Sequence, residues 1–437
     1  MIKQDTLSLE FGDMKQLLKK VIPKGLLAQL INPYHWLESF LANIRYGFPA
    51  RNMQVVMVTG TNGKTTTVNY IASILKQAGH RVGVCSTSHF EIAGERIAND
   101  LNFTVTNPFK LQSILAEMRR AKVTHLVLEV TSHALQQHRV WGIPCHGAVM
   151  TNLTQDHLDY HKTMEQYAAA KGKLFARRPP LIVLNRDDQW FDYFNQFEAA
   201  EHKMSYGTHE QADSRITKVT LHKDGSDIRL LMDNQINVNF KTQLLGKFNV
   251  YNATAAATLA YLMHIEIDVI KKGIEALQGV PGRLERVTTE QPFTVIVDYA
   301  HTPDALQNVL ETLKHLTKNR LILVFGATGD RDKAKRPLMG EIAAKLADRI
   351  IVTDDETYTE DASAIRVMIM EGITSAAGSA KVEEVPDRLE AIKKALSIAR
   401  RNDTVLVTGM GHERYRIMGG KREPWDEVKI IRELLEK

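Results

Sequence analysis

The stretch Val55-Val56-Met57-Val58-Thr59-Gly60-Thr61-Asn62-Gly63-Lys64-Thr65-Thr66-Thr67 decides how the rest of the chain is read. Its apolar, β-branched opening reads as a buried strand, the two glycines as a tight loop, and the Lys-Thr run as the first turn of a helix. Gly60 and Gly63 let backbone N–H groups turn inward, and the helix N-terminus adds partial positive charge, so the segment suits a phosphate. Lys64 is placed to reach terminal phosphates, and the Thr65 hydroxyl suits Mg²⁺. The loop departs from the G-x4-G-K-S/T pattern, because Val58 stands where the first glycine would be. A chance glycine turn is the plain alternative, and the strand–loop–helix context argues against it. ATP or GTP binding follows, with Gly60, Thr61, Asn62, Gly63, Lys64, Thr65 and Thr66 as the contacts.

Outward from this loop, short apolar runs alternate with helical stretches: Leu126–Val130, Ala148–Met150 and Leu181–Leu184. Continuous apolar strands between helices indicate an α/β domain whose parallel sheet is covered on both faces. Residues 215–245 break the pattern with turn-punctuated alternation that suggests an antiparallel patch. The α/β alternation restarts after Val280-Pro281-Gly282-Arg283, giving a second, Rossmann-like α/β unit. Three regions are therefore expected: a short N-terminal segment over 1–51, a P-loop central domain over 52–282 and a C-terminal domain over 283–437. In the first region, Leu17 to Ile31 form apolar clusters among lysines, Pro23-Lys24-Gly25 breaks that helix, and Trp36–Ile44 forms another. A lid or docking helix pair and a basic membrane-surface helix are both open readings.

Composition excludes several classes. With 437 residues, 44% hydrophobic and 24% charged, the chain can build real cores and is not disordered. It has no apolar run of about 18 residues and no secretory leader, so no membrane span is expected. Cys85 and Cys145 have no CxxC partner, which fits a reducing cytoplasm. A net charge of +5 suits anionic small substrates and is too weak to argue for nucleic acid.

Two further strands end in acids. Glu129 closes Leu126–Glu129, where open α/β sheets place ligands. Asp156-His157 follows Ala148–Met150; such a pair is ordinarily a solvated turn, but beside a phosphate loop it becomes a candidate second Mg²⁺ site. Lys171 lies in a small-residue helix, where an exposed lysine is the default.

Taken in order, Gly60–Thr66, Glu129–Leu135, Thr151–Asp159, Gly246–Asn252, Pro281–Arg283, Asp298–Asp304, Gly329–Asp332 with Lys335–Pro337, and Gly409–Glu413 resemble the Mur ligase family over residues 52–437. That family joins amino acids to the nucleotide-linked precursor of peptidoglycan, and the likeness is greatest to its third-residue branch. The resemblance implies that ATP phosphorylates the acceptor carboxylate and that the amine of the incoming amino acid attacks the acyl phosphate. It implies catalytic roles for Lys64, Glu129, His157 and Lys171. Thr65 and Glu129 would hold one Mg²⁺, and His157 and a carbamylated Lys171 would serve a second. Asn249, Asn252, Asp298, His301 and Lys335 would contact ATP. Thr106, Asn107, Ser132, Gln137 and Arg139 would contact UDP-N-acetylmuramoyl-L-Ala-D-Glu, with a surface helix-end pair as the plain alternative for Gln137 and Arg139. Arg331, Asp355, Glu356, Tyr358, Gly409 and Glu413 would hold the amino acid. The expected product is the third-residue amide of cell-wall synthesis, made by a cytoplasmic monomer.

The chain departs from the family at two places. The segment before the loop is shorter than the family's uridine-binding domain, so the UDP end must be held differently. The family's Asp-Asn-Pro-Arg, whose arginine reads the distal carboxylate of diaminopimelate, is here Asp355-Glu356-Thr357-Tyr358. Tyrosine cannot pair bidentately with a carboxylate. Lysine or another diamine is the expectation, with a solvated acidic loop as the alternative. Two other readings stay open: a Mur-type ligase with a different acceptor, and a nucleotide-binding subunit without ligation of its own.

Overall fold

The computed structural model describes residues 24–99, 107–376 and 378–436. One helix, Lys24–Tyr46, opens the described chain and continues past Pro33, so Trp36–Ile44 belongs to it and does not start a second helix. The apolar and lysine clusters before residue 24 lie outside the described residues. The helix is tied to the body by Asn43, whose amide donates to the Trp141 carbonyl at 2.9 Å. Trp36, Phe40 and Trp141 pack ring against ring beside this bond.

The first sheet is built from β1 (Gln54–Thr59), β2 (Val82–Cys85), β3 (His89–Ile92), β4 (Glu95–Ala98), β5 (His125–Glu129), β6 (Gly147–Met150), β7 (Leu181–Asn185), β8 (His202–Gly207), β9 (Ser214–His222), β10 (Gly225–Met232) and β11 (Ile236–Thr242). Their spatial order is β11-β10-β9-β8-β7-β6-β1-β5-β2-β3-β4. The middle of the sheet is parallel, and the antiparallel meander expected over 215–245 is β9–β11. Alternation along β1 explains its two-sided burial. Val56 and Val58 face one core with the helices Lys64–Gln77, Lys247–Leu262 and Ile267–Glu275. Val55 and Met57 face the other, with Pro108–Arg120 and Met164–Phe175. Each such side chain, fully removed from water, contributes roughly 1.5–3 kcal/mol.

The chain leaves β1 toward β2 on one side and later returns to β6 on the other. That reversal leaves a crevice beyond the C-terminal end of β1. The glycine loop fills its rim.

The second sheet joins β12 (Glu285–Val287), β13 (Thr294–Asp298), β14 (Leu321–Phe325), β15 (Arg349–Val352), β16 (Lys381–Glu384) and β17 (Thr404–Thr408) in the order β12-β13-β17-β14-β15-β16. All its pairings are parallel except β12 with β13. Side-chain oxygens of Thr302, Asp361, Asp387 and Asp426 cap four of its helices. A hairpin, β18 (Tyr415–Met418) and β19 (Lys421–Pro424), turns through Gly419 and Gly420, both at positive φ.

Pro281-Gly282-Arg283 lies between Thr242, where the first sheet ends, and Glu285, where the second begins. Gly282 sits at φ +65°, and a Cβ there would lie 2.3 Å from the His412 amide nitrogen. Only glycine fits.

Candidate active site

The C-terminal ends of both sheets face one cleft of about 960 Å³, lined from the central domain by the glycine loop and from the C-terminal domain by residues 298–301, 331, 355, 356, 358, 409, 410 and 413. In the loop, Gly60 and Gly63 take φ +149° and +83°. A Cβ at Gly60 would fall 1.8 Å from Thr151 Oγ1, and one at Gly63 2.3 Å from Asn252 Oδ1. The loop is therefore pressed against Thr151 and Asn252, and any side chain at either glycine would break it. Asn152 braces the loop further, its carbonyl accepting from the Thr61 N–H and its side chain from the Asn62 N–H.

Lys64 donates to the Thr61 carbonyl at 2.7 Å. Desolvation in the cleft pulls its ammonium below the ordinary lysine range, with Glu129 opposing. Thr65 Oγ1 donates to Glu129 Oε2 at 2.9 Å, joining hydroxyl and carboxylate as the expected metal pair requires. Glu129 also accepts from the Thr87 N–H and hydroxyl, at 3.0 and 2.9 Å. Thr87 carries no motif, yet it supplies two of the bonds that hold this buried carboxylate.

Lys171, by default an exposed lysine, is only 1% exposed. Its ammonium donates to the Gly60 carbonyl at 2.7 Å and lies 4.5 Å over the Tyr167 ring. Burial, reinforced by Lys64, drives its pKa well below that of a free lysine. Asp156 and His157 are likewise no solvated turn. Burial alone would raise the Asp156 carboxyl, but His157, Lys335, His301 and the His157 N–H hold it well below the carboxylate range. His157 takes φ +56°, its ring lies 3.3 Å from Asp156, and desolvation pushes it down to about 3. Among the described residues, no group of three or more His, Cys, Asp and Glu side chains is assembled for a metal. The Thr65 hydroxyl and Glu129 carboxylate at the phosphate loop are oxygen donors that fit Mg²⁺ sharing its shell with phosphate and water, whereas the His157 imidazole and Lys171 amine are nitrogen groups that hard Mg²⁺ does not favour.

Asn252 lines the cleft, whereas Asn249 stands behind it and accepts the Asn252 amide at 3.0 Å. Asp298, His301 and Lys335 all line the cleft from the C-terminal side. Asp298 accepts from the Leu284 and Ala300 N–H groups, and burial nonetheless raises its pKa. Lys335 lies 3.9 Å from Asp156. Further contacts cross between the domains here. Asn62 donates to Asp304 at 2.7 Å, and Arg283 donates to Thr65 Oγ1 at 3.4 Å while its guanidinium covers the Tyr299 ring.

At the acceptor end, Gln137 and Arg139 line the cleft and are bonded to each other, the Arg139 guanidinium donating to the Gln137 oxygen at 2.6 Å. Three other residues of that set are placed differently. Thr106 lies outside the described residues. Asn107 caps the helix Pro108–Arg120 by accepting from the Phe109 N–H, and does not line the cleft. Ser132 turns inward to share a 2.9 Å hydrogen bond with His161, and its neighbour Thr131 lines the cleft instead. One residue of helix phase separates the two.

All six residues expected for the amino acid, Arg331, Asp355, Glu356, Tyr358, Gly409 and Glu413, come together on the C-terminal wall. The Arg331 guanidinium lies 4.9 Å over the Tyr358 ring. Burial and the charge of Asp355 push Glu356 up to about 7, and burial with the charge of Glu356 pushes Glu413 up to about 8. The acids form a buried group, not a solvated loop.

A phosphate loop, a buried acid–hydroxyl pair and a second α/β domain closing over them define a class of nucleotide-dependent ligases. Comparison places the chain within it. Residues 58–260 match the Mur ligase middle domain, and residues 282–411 match the Mur ligase, glutamate ligase domain. The chain belongs to the Mur ligase family of ATP-dependent amide ligases. It is 42% identical over 403 residues to the UDP-N-acetylmuramoyl-L-alanyl-D-glutamate–2,6-diaminopimelate ligase of Syntrophomonas wolfei, covering 91% of this chain and 81% of that protein. The ligase of the same name from Bacillus velezensis is 39% identical, with 90% and 80% covered. A solved structure of a ligase so named superposes with a TM-score of 0.61 at 32% identity, covering 93% of this chain and 82% of that one. The folylpolyglutamate synthase of Mycobacterium tuberculosis, solved with ADP and AMPPCP, shares the fold at a TM-score of 0.71 and 19% identity, covering 86% of this chain and 92% of that one. Among the described residues no helix is long and apolar enough to cross a membrane.

Proposed function

We propose that this ligase adds the third amino acid, a diamino acid, to UDP-N-acetylmuramoyl-L-Ala-D-Glu in the cytoplasm, through an acyl phosphate. The observation that carries the reading is the convergence of three chemically distinct regions on one cleft: Lys64 and the loop amides, the Gln137–Arg139 pair, and the acid-rich wall around Arg331. These suit, respectively, a triphosphate, an acidic peptide and an amine-bearing amino acid.

In this mechanism the loop amides and Lys64 hold the γ-phosphate while Arg139 steers the acceptor carboxylate toward it. The carboxylate oxygen attacks phosphorus, the bond to ADP breaks, and an acyl phosphate forms. Arg331 orients the incoming amino acid so that its neutral α-amine attacks the acyl carbon. The tetrahedral intermediate expels phosphate and leaves the amide. Thr65, Glu129, His157 and a carbamylated Lys171 are the residues that would hold magnesium, which when bound neutralises the charge gathered between the phosphates and the carboxylate. Carbamylation requires a free amine. The depressed pKa of Lys171 supports that modification, which would also place an anion beside Lys64 where a buried amine stands.

Phosphate release measured with ATP, acceptor and amino acid, each omitted in turn, tests the proposal. Release that requires all three is expected, and Lys171→Ala is expected to abolish it. Slow hydrolysis indifferent to both acceptor and amino acid would support a nucleotide-binding subunit instead.

A further inference from the structure

The stretch Gly409-Met410-Gly411-His412-Glu413 gives Gly409, Met410 and Glu413 to the cleft wall and leaves His412 without a part in it. His412 reaches across to the central domain instead, where its ring hydrogen-bonds the backbone of Thr87. Its Nδ1 is buried with no hydrogen-bond partner, so Nε2 makes that bond. The Thr87 N–H already donates to Glu129, which leaves the Thr87 carbonyl as the acceptor and the His412 Nε2–H as the donor.

Every polar group of Thr87 is therefore engaged. Its carbonyl is held from the C-terminal domain, while its N–H and hydroxyl hold the two oxygens of Glu129 at 3.0 and 2.9 Å. Thr65 Oγ1 donates to Glu129 Oε2 from the phosphate loop at 2.9 Å. The turn carrying Thr87, between β2 and β3, is braced by its own domain through Ser86. The Ser86 N–H and hydroxyl donate to the His89 carbonyl at 3.0 and 2.8 Å, and Asn99 donates to the Ser86 carbonyl at 2.9 Å.

The opposite end of the bond is fixed by close packing. A Cβ at Gly282 would lie 2.3 Å from the His412 amide nitrogen, and one at Gly411 would lie 2.7 Å from Tyr299 Cβ. The Tyr299 and His412 rings are 4.9 Å apart. His412 has no room to shift alone and moves with Gly282 and with the wall that carries Glu413.

We propose that His412 is a positioning residue that, through Thr87, sets the Glu129 carboxylate for magnesium when the C-terminal domain is docked. Metal at Thr65 and Glu129 and docking of that domain then strengthen each other. This relay rests on the metal role proposed above for Thr65 and Glu129, and on no choice of acceptor or amino acid.

The full chain, in excess over a non-hydrolysable ATP analogue so that all nucleotide is bound, is titrated with Mn²⁺ in place of Mg²⁺, and the free ion is read by electron paramagnetic resonance. His412→Met removes the donor at similar volume, and His412→Gln returns an amide N–H at the place of Nε2. The Met variant is expected to bind Mn²⁺ about 5-fold more weakly, and the Gln variant to come within about twofold of the parent. Binding of the analogue in EDTA is expected to be equal in all three, whereas a general loosening of the cleft would weaken it. Thr87→Val loses the hydroxyl and keeps the carbonyl, so His412→Met should cost less Mn²⁺ affinity when added to it than when added to the parent. Should His412→Met not fold, His412→Asn, whose amide stops short of the Thr87 carbonyl, takes its place. Equal Mn²⁺ affinity in the parent and the Met variant, or a loss that Gln leaves unrepaired, overturns the relay and spares the metal pair. A parent that binds no Mn²⁺ with nucleotide overturns the metal pair and the relay with it.

Discussion

The two ends of the cleft handle charge in opposite ways. At the phosphate end Glu129 accepts three hydrogen bonds from Thr65 and Thr87, and the Asp156 carboxylate is held by its cationic surroundings. At the amino-acid end Asp355 keeps an oxygen without a donor, and Glu356 and Glu413 are pushed toward neutrality. One end satisfies its carboxylate from the protein's own donors; the other leaves a carboxylate oxygen without one. Preorganisation therefore favours the chemical step, and incompleteness favours choice of substrate.

The largest effect expected from breaking this contrast lies beneath the acidic end. Arg388 and Glu427 are a fully buried pair, so Arg388→Met should cost about 3–5 kcal/mol in denaturant unfolding by stranding Glu427. Replacing both partners with Met should restore most of that stability. Next comes the phosphate end, where Lys64→Met should lower amino-acid-dependent phosphate release by about 10²–10³-fold, read as kcat. A smaller effect is expected from pH. The folded-state pKa values of Glu356 and Glu413 are raised, so their contribution to stability is complete below the ordinary carboxylate pKa and is lost as pH rises through about 7 to 8. Thermal melting of the ligand-free protein should accordingly decline over that range, and Glu356→Gln should flatten the decline. The smallest effect is at the junction of the domains. Asn62→Ala removes the bond to Asp304 and should shift the domain-closure equilibrium, seen by small-angle scattering, by about 1 kcal/mol.

The phosphate end was legible in the sequence because its parts are contiguous: strand, glycines and Lys64-Thr65 state their geometry in one line. Glu129 was legible for a related reason, since it ends an apolar run of the length of a buried strand. Thr87 was not, because its role depends on β2 ending beside β5, and nothing in Ser86-Thr87-Ser88 records that pairing. Thr131 and Ser132 show the limit of a motif read as letters. Two adjacent hydroxyls at a helix start differ only in which way they turn, and the Ser132–His161 bond settles it. Asn107 is a polar letter beside a motif, yet its side chain caps a helix whose first residue is Pro108. Lys171 looked like surface from composition; its burial follows from Tyr167 and Gly60 closing over it. The acid-rich wall was visible as letters, but its unpartnered oxygen depends on the close approach of Gly409.

Arg283 follows directly on the glycine where the chain crosses from one half to the other, and its side chain spans both, meeting Thr65 on one bank and Tyr299 on the opposite. A swing of the C-terminal half therefore drags a fixed positive charge over the mouth of the loop. Opening and shutting the jaws cannot be separated from retuning the field that anionic guests feel on entry and departure.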